Sequence, residues 1–157
     1  YALIWKDPPK NKKESYLKTT QWLKDGFKKA GVDLFFGNKD VNMSNNNCFS
    51  TSTLADLVDN NENKQIGSAQ YWKKGHLLQH GEILIEPSKE LWKKVFNTDP
   101  PKIKKEIKEK DKIIHYLKES FIKNWPILNL YKYKLDAKDK ERINCLAIEN
   151  FKKTNHF

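Results

Sequence analysis

Lys64-Gln65-Ile66-Gly67-Ser68-Ala69-Gln70-Tyr71-Trp72 and Leu77-Leu78-Gln79-His80-Gly81-Glu82-Ile83-Leu84-Ile85 are two apolar-rich runs parted by a short basic turn. Their length and their β-branched and aromatic content predict strands over 64–72 and 77–85. A further strand is expected over 54–58 and a polar turn over 59–63, so the middle of the chain reads as an antiparallel meander. Both long strands are interrupted by small residues. Gly67-Ser68-Ala69 breaks the first and Gly81 the second, although glycine inside a strand weakens it unless a ligand or another backbone must come close. Taken singly, each interruption reads as a bulge or turn. Taken together they predict a slot beside apolar strands, suited to a narrow apolar tail or cofactor, with Gln70, Gln79 and His80 as the polar groups that orient it.

Working outward, residues 2–5 predict a short strand stopped by Asp7-Pro8-Pro9. Residues 13–30 place Leu17, Thr20, Leu23, Phe27 and Ala30 on one helical face, which Gly31 ends. A brief strand over 32–36 leads into a polar loop, 37–47, that delivers Cys48. Beyond the meander, Pro87 opens a helix with Leu91, Trp92, Val95 and Phe96 on its apolar face, broken by Asp99-Pro100-Pro101. The charged stretch 97–112 is expected to be exposed. Ile113, Ile114, Leu117, Phe121 and Ile122 form another helical stripe, 130–135 a strand and 137–153 a closing helix. The fold class is α+β: a mixed or antiparallel sheet flanked by helices, with a small helical C-terminal region. The chain reads as one domain, residues 1–157, with a candidate C-terminal lobe at 111–157.

Composition narrows the function. At 157 residues one core is expected, and although mean hydropathy is −0.85, five Trp, six Tyr and eight Phe supply large side chains to bury. No apolar run approaches the roughly 20 residues that cross a bilayer, and no secretory leader pattern opens the chain, so a cytoplasmic protein with no membrane partner is expected. The net charge of +10 invites a nucleic-acid reading, but of 30 basic residues only Arg142 is arginine, whereas base and bidentate phosphate recognition lean on guanidinium. Nucleic acid is therefore not an expected partner. Two cysteines make no disulfide framework. Cys145, within Arg142-Ile143-Asn144-Cys145-Leu146, is expected to be buried on a helix, and Cys48 stands apart in its polar loop.

Together with Asn46-Asn47-Cys48-Phe49 and Leu54-Ala55-Asp56-Leu57-Val58, the slot segments resemble, in order and spacing, the biotin/lipoate A/B protein ligase family. The likeness is strongest to its cysteine-dependent octanoyltransferases acting on glycine cleavage system H protein. The matching positions are Cys48-Phe49, Asp56-Leu57-Val58, Lys64, Gly67 to Gln70, and Leu78 to Gly81 followed by Ile83 to Ile85. The resemblance extends to the C-terminal helices and departs in three places. The family's Arg-Arg-x-Thr-Gly-Gly segment would precede the strand at 2–5, so the chain is expected to be the C-terminal part of the domain. The basic run after Gly-Ser-Ala-Gln is here Tyr71-Trp72-Lys73-Lys74, and Asn63 stands where relatives commonly carry Arg.

The resemblance implies an acyltransferase in which Cys48 carries the acyl group and Lys64 is its partner. Gly67, Ser68, Ala69, Gln70, Gln79, His80 and Gly81 would bind the acyl or cofactor group. An octanoyl or lipoyl group would arrive as a thioester on acyl carrier protein, exchange onto Cys48, and pass to a lysine of a lipoyl domain or glycine cleavage H protein. An unperturbed thiol titrates near about 8.5, so a cation such as Lys64 would assist Cys48. In the second step the same side chain would take a proton from the acceptor amine or bond the developing oxyanion. Transfer requires no cofactor, and no metal site is expected, since His76 and His80 fall on turn and strand without further ligands. Two alternatives stay open. One is an ATP-dependent lipoate or biotin ligase, which would need ATP and magnesium but not Cys48; the other is a non-catalytic module that binds the acyl or cofactor group.

Overall fold

A computed structural model describes residues 1–37, 52–125 and 129–154 and divides the chain into two compact units, Tyr1–Pro126 and Ile127–Phe157. The first holds strands β1 (Ala2–Lys6), β2 (Phe35–Phe36), β3 (Leu57–Val58), β4 (Lys64–Lys73) and β5 (His76–Ile83), with helices α1 (Lys12–Lys29), α2 (Lys89–Phe96) and α3 (Lys110–Asn124). The strands form one antiparallel sheet in the order β1-β5-β4-β3-β2. The second unit carries helix α4 (Ala137–Thr154). The α+β class and the antiparallel meander read from the sequence are what the chain adopts.

The β4–β5 hairpin turns on two residues, Lys74 and Gly75, at φ 49° and 75°. Two successive left-handed residues give a turn whose twist matches that of the flanking strands. From there the pairing runs without a bulge from Lys73 opposite His76 to Ile66 opposite Ile83. Alternation puts Ile66, Leu77 and Gln79, all fully buried, on one face. That face meets α1, capped by Asn11 Oδ1, which accepts from Glu14 N at 3.2 Å. The buried stripe of α1 is Ser15, Thr19, Trp22, Leu23, Gly26 and Phe27, with Thr20 beside it. Leu17, expected on that stripe, is instead 42% exposed. Thr19 takes the inward place because its hydroxyl bonds Gln79 Oε1 and its carbonyl accepts from Trp22 Nε1 at 2.7 Å.

Other expectations need correction. The strands foreseen over 32–36 and 54–58 shrink to Phe35–Phe36 and Leu57–Val58. Ahead of Leu57 the backbone closes a turn instead, with Asp56 N donating to Thr53 O at 2.9 Å. The charged stretch 97–112 is not wholly exposed: Ile107, on a 3-10 turn at Lys105–Lys108, is fully buried in the core. Residues 130–135 form no strand; Tyr133 Oη bonds Asp139 Oδ2 at 2.5 Å, in the first turn of α4. Cys145 is on a helix as expected, but exposed. Helix α3 belongs to the first unit, where it packs on α1 through Gly26 and Leu117.

This last contact is testable. A methyl on Gly26 would stand 2.7 Å from Leu117 Cδ2 and 3.1 Å from Leu117 Cα. Alanine gains about 1 kcal/mol over glycine in a helix, but overpacking against a neighbouring backbone costs about 1–3 kcal/mol. Gly26→Ala is expected to lower stability by about 1 kcal/mol net, read as a lower urea midpoint at unchanged m-value; a raised midpoint would mean that α3 shifts freely.

Candidate functional site

The site is built around a carboxylate. The turn 53–56 presents Asp56 so that Oδ2 accepts from Thr53 N at 2.9 Å and Thr53 Oγ1 at 3.2 Å. Its other oxygen, Oδ1, accepts from Ser68 N at 3.2 Å and lies 3.1 Å from Lys64 Nζ. One side chain thus ties the turn, the middle of β4 and the first residue of β4 together. Asp56 is 5% exposed and Lys64 8%, so the ion pair is buried. Charges taken out of water this far persist where several donors and a counter-charge replace the lost hydration, and both are present.

Lys64, Gly67, Ser68, Ala69, His80 and Gly81 line one cavity of about 280 Å³ together with Asp56 and Glu82. Residues singled out from the sequence on three separate segments are therefore brought to one place by the β4–β5 register. Gly81 is required there by close approach: a Cβ would lie 2.4 Å from Gly67 O and 2.8 Å from Tyr1 Cε1. Gln70 and Gln79 are placed elsewhere. They sit on the α1 side of the sheet, where Gln70 Nε2 donates to Gln79 Oε1 at 2.7 Å and Trp72 Nε1 donates to Gln70 Oε1 at 3.2 Å. A relay connects them to the cavity wall. Gln79 Nε2 donates to Tyr1 Oη at 2.9 Å, and Tyr1 Oη is 2.8 Å from Ser68 Oγ. Cys48 lies outside the described residues.

Burial pushes the Tyr1 phenol above its ordinary range, against the Ser68 and Gln79 hydrogen bonds that favour its charged form; the Asp56 charge adds to the rise. Among the described residues no group of three or more His, Cys, Asp or Glu is placed to hold a metal ion. Nor is any described helix long and apolar enough to cross a membrane. The sequence reading missed Asp56 as a site residue. Its signal was present, since Asp56 is a carboxylate set against Leu57 and Val58, both buried, and a buried carboxylate calls for a cation.

No protein-family model matches the chain. Over 113 residues it is 31% identical to octanoyltransferase LipM of Lysinibacillus sphaericus (strain C3-41), covering 66% of this chain and 40% of that protein. A candidate lipoate protein ligase from Thermoplasma acidophilum shares the fold, with a TM-score of 0.65 at 16% identity over 97% of this chain and 59% of that one. That protein has also been solved with bound lipoic acid. Lipoate-protein ligase A bound with ATP matches with a TM-score of 0.64 at 13% identity, over 89% of this chain and 56% of the other. The chain thus spans two-fifths of the curated relative and under two-thirds of these solved structures.

Removing one partner of a buried pair leaves the other charge uncompensated, at about 3–5 kcal/mol. Asp56→Asn is therefore expected to destabilise the chain by up to about 3 kcal/mol in urea, and Asp56→Asn with Lys64→Met by clearly less; equal losses would remove the pair from the account. Tyr1 gives a pH dependence. A phenol whose folded value is raised stabilises the fold fully below its unfolded value of about 10, and the contribution is lost as pH rises through the folded value. Stability is expected to fall above about pH 10, and to fall less in Tyr1→Phe; Tyr16, raised by burial, and Tyr133, raised by its hydrogen bond to Asp139, contribute to the remainder. Matching alkaline curves for the two proteins would exclude Tyr1.

Proposed function

We propose that this chain is a member of the biotin/lipoate A/B protein ligase family and an octanoyltransferase working through a thioester on Cys48, a reading supported by its likeness to octanoyltransferase LipM and by the fold it shares with lipoate ligases. The donor is an octanoyl or lipoyl thioester on acyl carrier protein. The acceptor is a lysine of a lipoyl domain or of glycine cleavage H protein. What carries the reading is the cavity in which Lys64, fixed by Asp56, meets the small residues Gly67, Ser68 and Ala69, with His80 and Gly81 opposite. Its volume suits a narrow chain, and its bare strand backbone lets that chain lie close.

In the first half-reaction the Cys48 thiolate attacks the donor carbonyl. The Cys48 sulfur–acyl bond forms, the donor sulfur–acyl bond breaks, and the donor thiolate leaves and is protonated. The exchange is close to neutral in free energy because one thioester replaces another. In the second, the acceptor amine attacks the Cys48 thioester, a tetrahedral oxyanion forms, and its collapse yields an amide and returns the thiolate. The amine must lose a proton on the way.

The geometry favours one of two roles for Lys64. Acting as base would oblige it to give up its proton first and leave the buried Asp56 carboxylate facing a neutral amine. Acting as a fixed donor to the oxyanion leaves the pair intact, and such donors are worth roughly 100-fold or more in rate. We therefore assign Lys64 the oxyanion, with the proton leaving by another route. The ATP-dependent ligase remains the second reading, supported by the ATP held by a ligase of like fold.

Intact mass spectrometry after incubation with octanoyl-acyl carrier protein tests the proposal. An octanoyl adduct is expected on the parent chain and on Cys145→Ala, and none on Cys48→Ala. Product formed by Cys48→Ala at the parent rate, or only with ATP and free lipoate, would overturn it in favour of the ligase. In single turnover, Lys64→Ala is expected to slow both the loading of Cys48 and amide formation, each by about 100-fold, because both steps pass through a tetrahedral oxyanion. A variant that loads at the parent rate and stalls only in amide formation would return Lys64 to the role of base.

A further inference from the structure

Strand pairing sorts the side chains of β1, β5 and β4 into rows. Lys6, His76 and Lys73 lie abreast at the hairpin end. Ile4, Leu78 and Tyr71 form the next row, then Ala2, His80 and Ala69, and finally Glu82 and Gly67 at the cavity. Because strand side chains alternate, all of these share the face opposite the buried Ile66, Leu77 and Gln79. That face is open: Ile4 is 73% and Tyr71 58% exposed, and Lys6, Lys73 and His76 are exposed as well.

The rows grade in chemistry. At the hairpin end Lys74 adds a further ammonium beside Lys6 and Lys73, while Asp7, whose N donates to Gly75 O at 2.9 Å, offsets one charge. The middle row is apolar. The row beyond it is small, apart from His80, and leads to the cavity of Lys64 and Asp56. From Lys73 to Gly67 is six residues along β4, about 20 Å at about 3.3 Å per residue.

Resting on the acyl-transfer reading, we propose that this face is the docking track of the donor. An acidic carrier domain seats on Lys6, Lys73 and Lys74, and lays a long flexible arm over Ile4, Leu78 and Tyr71 so that the acyl thioester at its tip enters the cavity. Charge selects an acidic partner. Distance selects a long-armed one, because a side chain with the four-carbon stem of lysine, presented from the basic row, falls far short of the cavity. The acceptor lysine therefore does not dock there.

The test uses the charge reversal Lys6→Glu/Lys73→Glu, its neutral counterpart Lys6→Gln/Lys73→Gln, and Lys28→Glu on α1 as a control. Two quantities are measured at low ionic strength: affinity for unacylated acyl carrier protein, and the rate of octanoyl loading from octanoyl-acyl carrier protein and from octanoyl-pantetheine. Affinity is expected to fall about tenfold or more in the reversal, with a smaller loss in the neutral variant and none in the control. KM for the protein-borne donor should rise in step, while loading from octanoyl-pantetheine stays at the parent rate. Equal affinity of parent and reversal for the carrier would overturn the docking face, as would an equal loss of loading from both donors. If the parent chain loads from neither donor yet its affinity for the carrier still depends on Lys6 and Lys73, the docking face stands and the acyl-transfer reading falls.

Discussion

The uninterrupted pairing of β4 with β5 governs most of what this chain presents. Because the side-chain period of a strand is two, a slip of one residue by β5 would send Leu77 and Gln79 into water, and one by β4 would do the same to Ile66 and turn the exposed Tyr71 and Lys73 against α1. Such a slip would strand the amide of Gln79, which is satisfied by Thr19, Gln70 and Tyr1 together. The polar contact thus does for register what the apolar contacts do for stability. Leu77 and Ile66 would tolerate many neighbours, but a buried amide accepts few arrangements.

A second constraint is set by Asp56. Its carboxylate accepts from Thr53 and Ser68 and pairs with Lys64, so the turn ahead of β3 and two points on β4 cannot move independently. A lysine held in this way is fixed in position, which is what the proposed oxyanion role asks of it. Preorganised donors stabilise a developing oxyanion because their orientation cost is met during folding rather than at the moment of reaction. The same rigidity explains why Lys64 is singled out among many lysines: the others named above on α1, β4 and α2 are exposed, whereas this one is buried against a carboxylate.

The sequence made the sheet and the cavity legible for different reasons. Strands β4 and β5 were visible through residue type, and their small residues through the contradiction of glycine within a strand. Helices α1 and α3 were visible through periodicity. What escaped was decided by partners rather than by propensity. Leu17 lost the inward place to Thr19 because only a hydroxyl can answer Gln79, and Ile107 entered the core although its neighbours are nearly all charged. Gln70 and Gln79 stood out in the sequence as polar residues in apolar strands. Their placement on the α1 face follows from strand parity, and parity could be counted only once the hairpin turn at Lys74 and Gly75 was known. Asp56 and Lys64 were each in view, but their pairing crosses a turn that periodicity does not describe.

The proposed transfer through a covalent enzyme intermediate would impose a geometric demand that the sheet helps to answer. Both the donor and the acceptor must bring a reacting atom to the same sulfur, yet they carry it differently, one at the end of a long arm and one on a four-carbon stem. A single docking patch could not serve both, since a patch about 20 Å from the cavity excludes the short stem and a patch at its mouth would leave the long arm folded and disordered. Separate approaches resolve this. Were the donor seated at the hairpin end of β4 and β5, as proposed, the rim of the cavity beside Glu82 would be left for the acceptor, and the carboxylate there has the opposite sign to the basic row. Donor and acceptor would then be told apart by the lengths of their arms as well as by their charge, and the acyl group would be handed on only where a short arm can reach it.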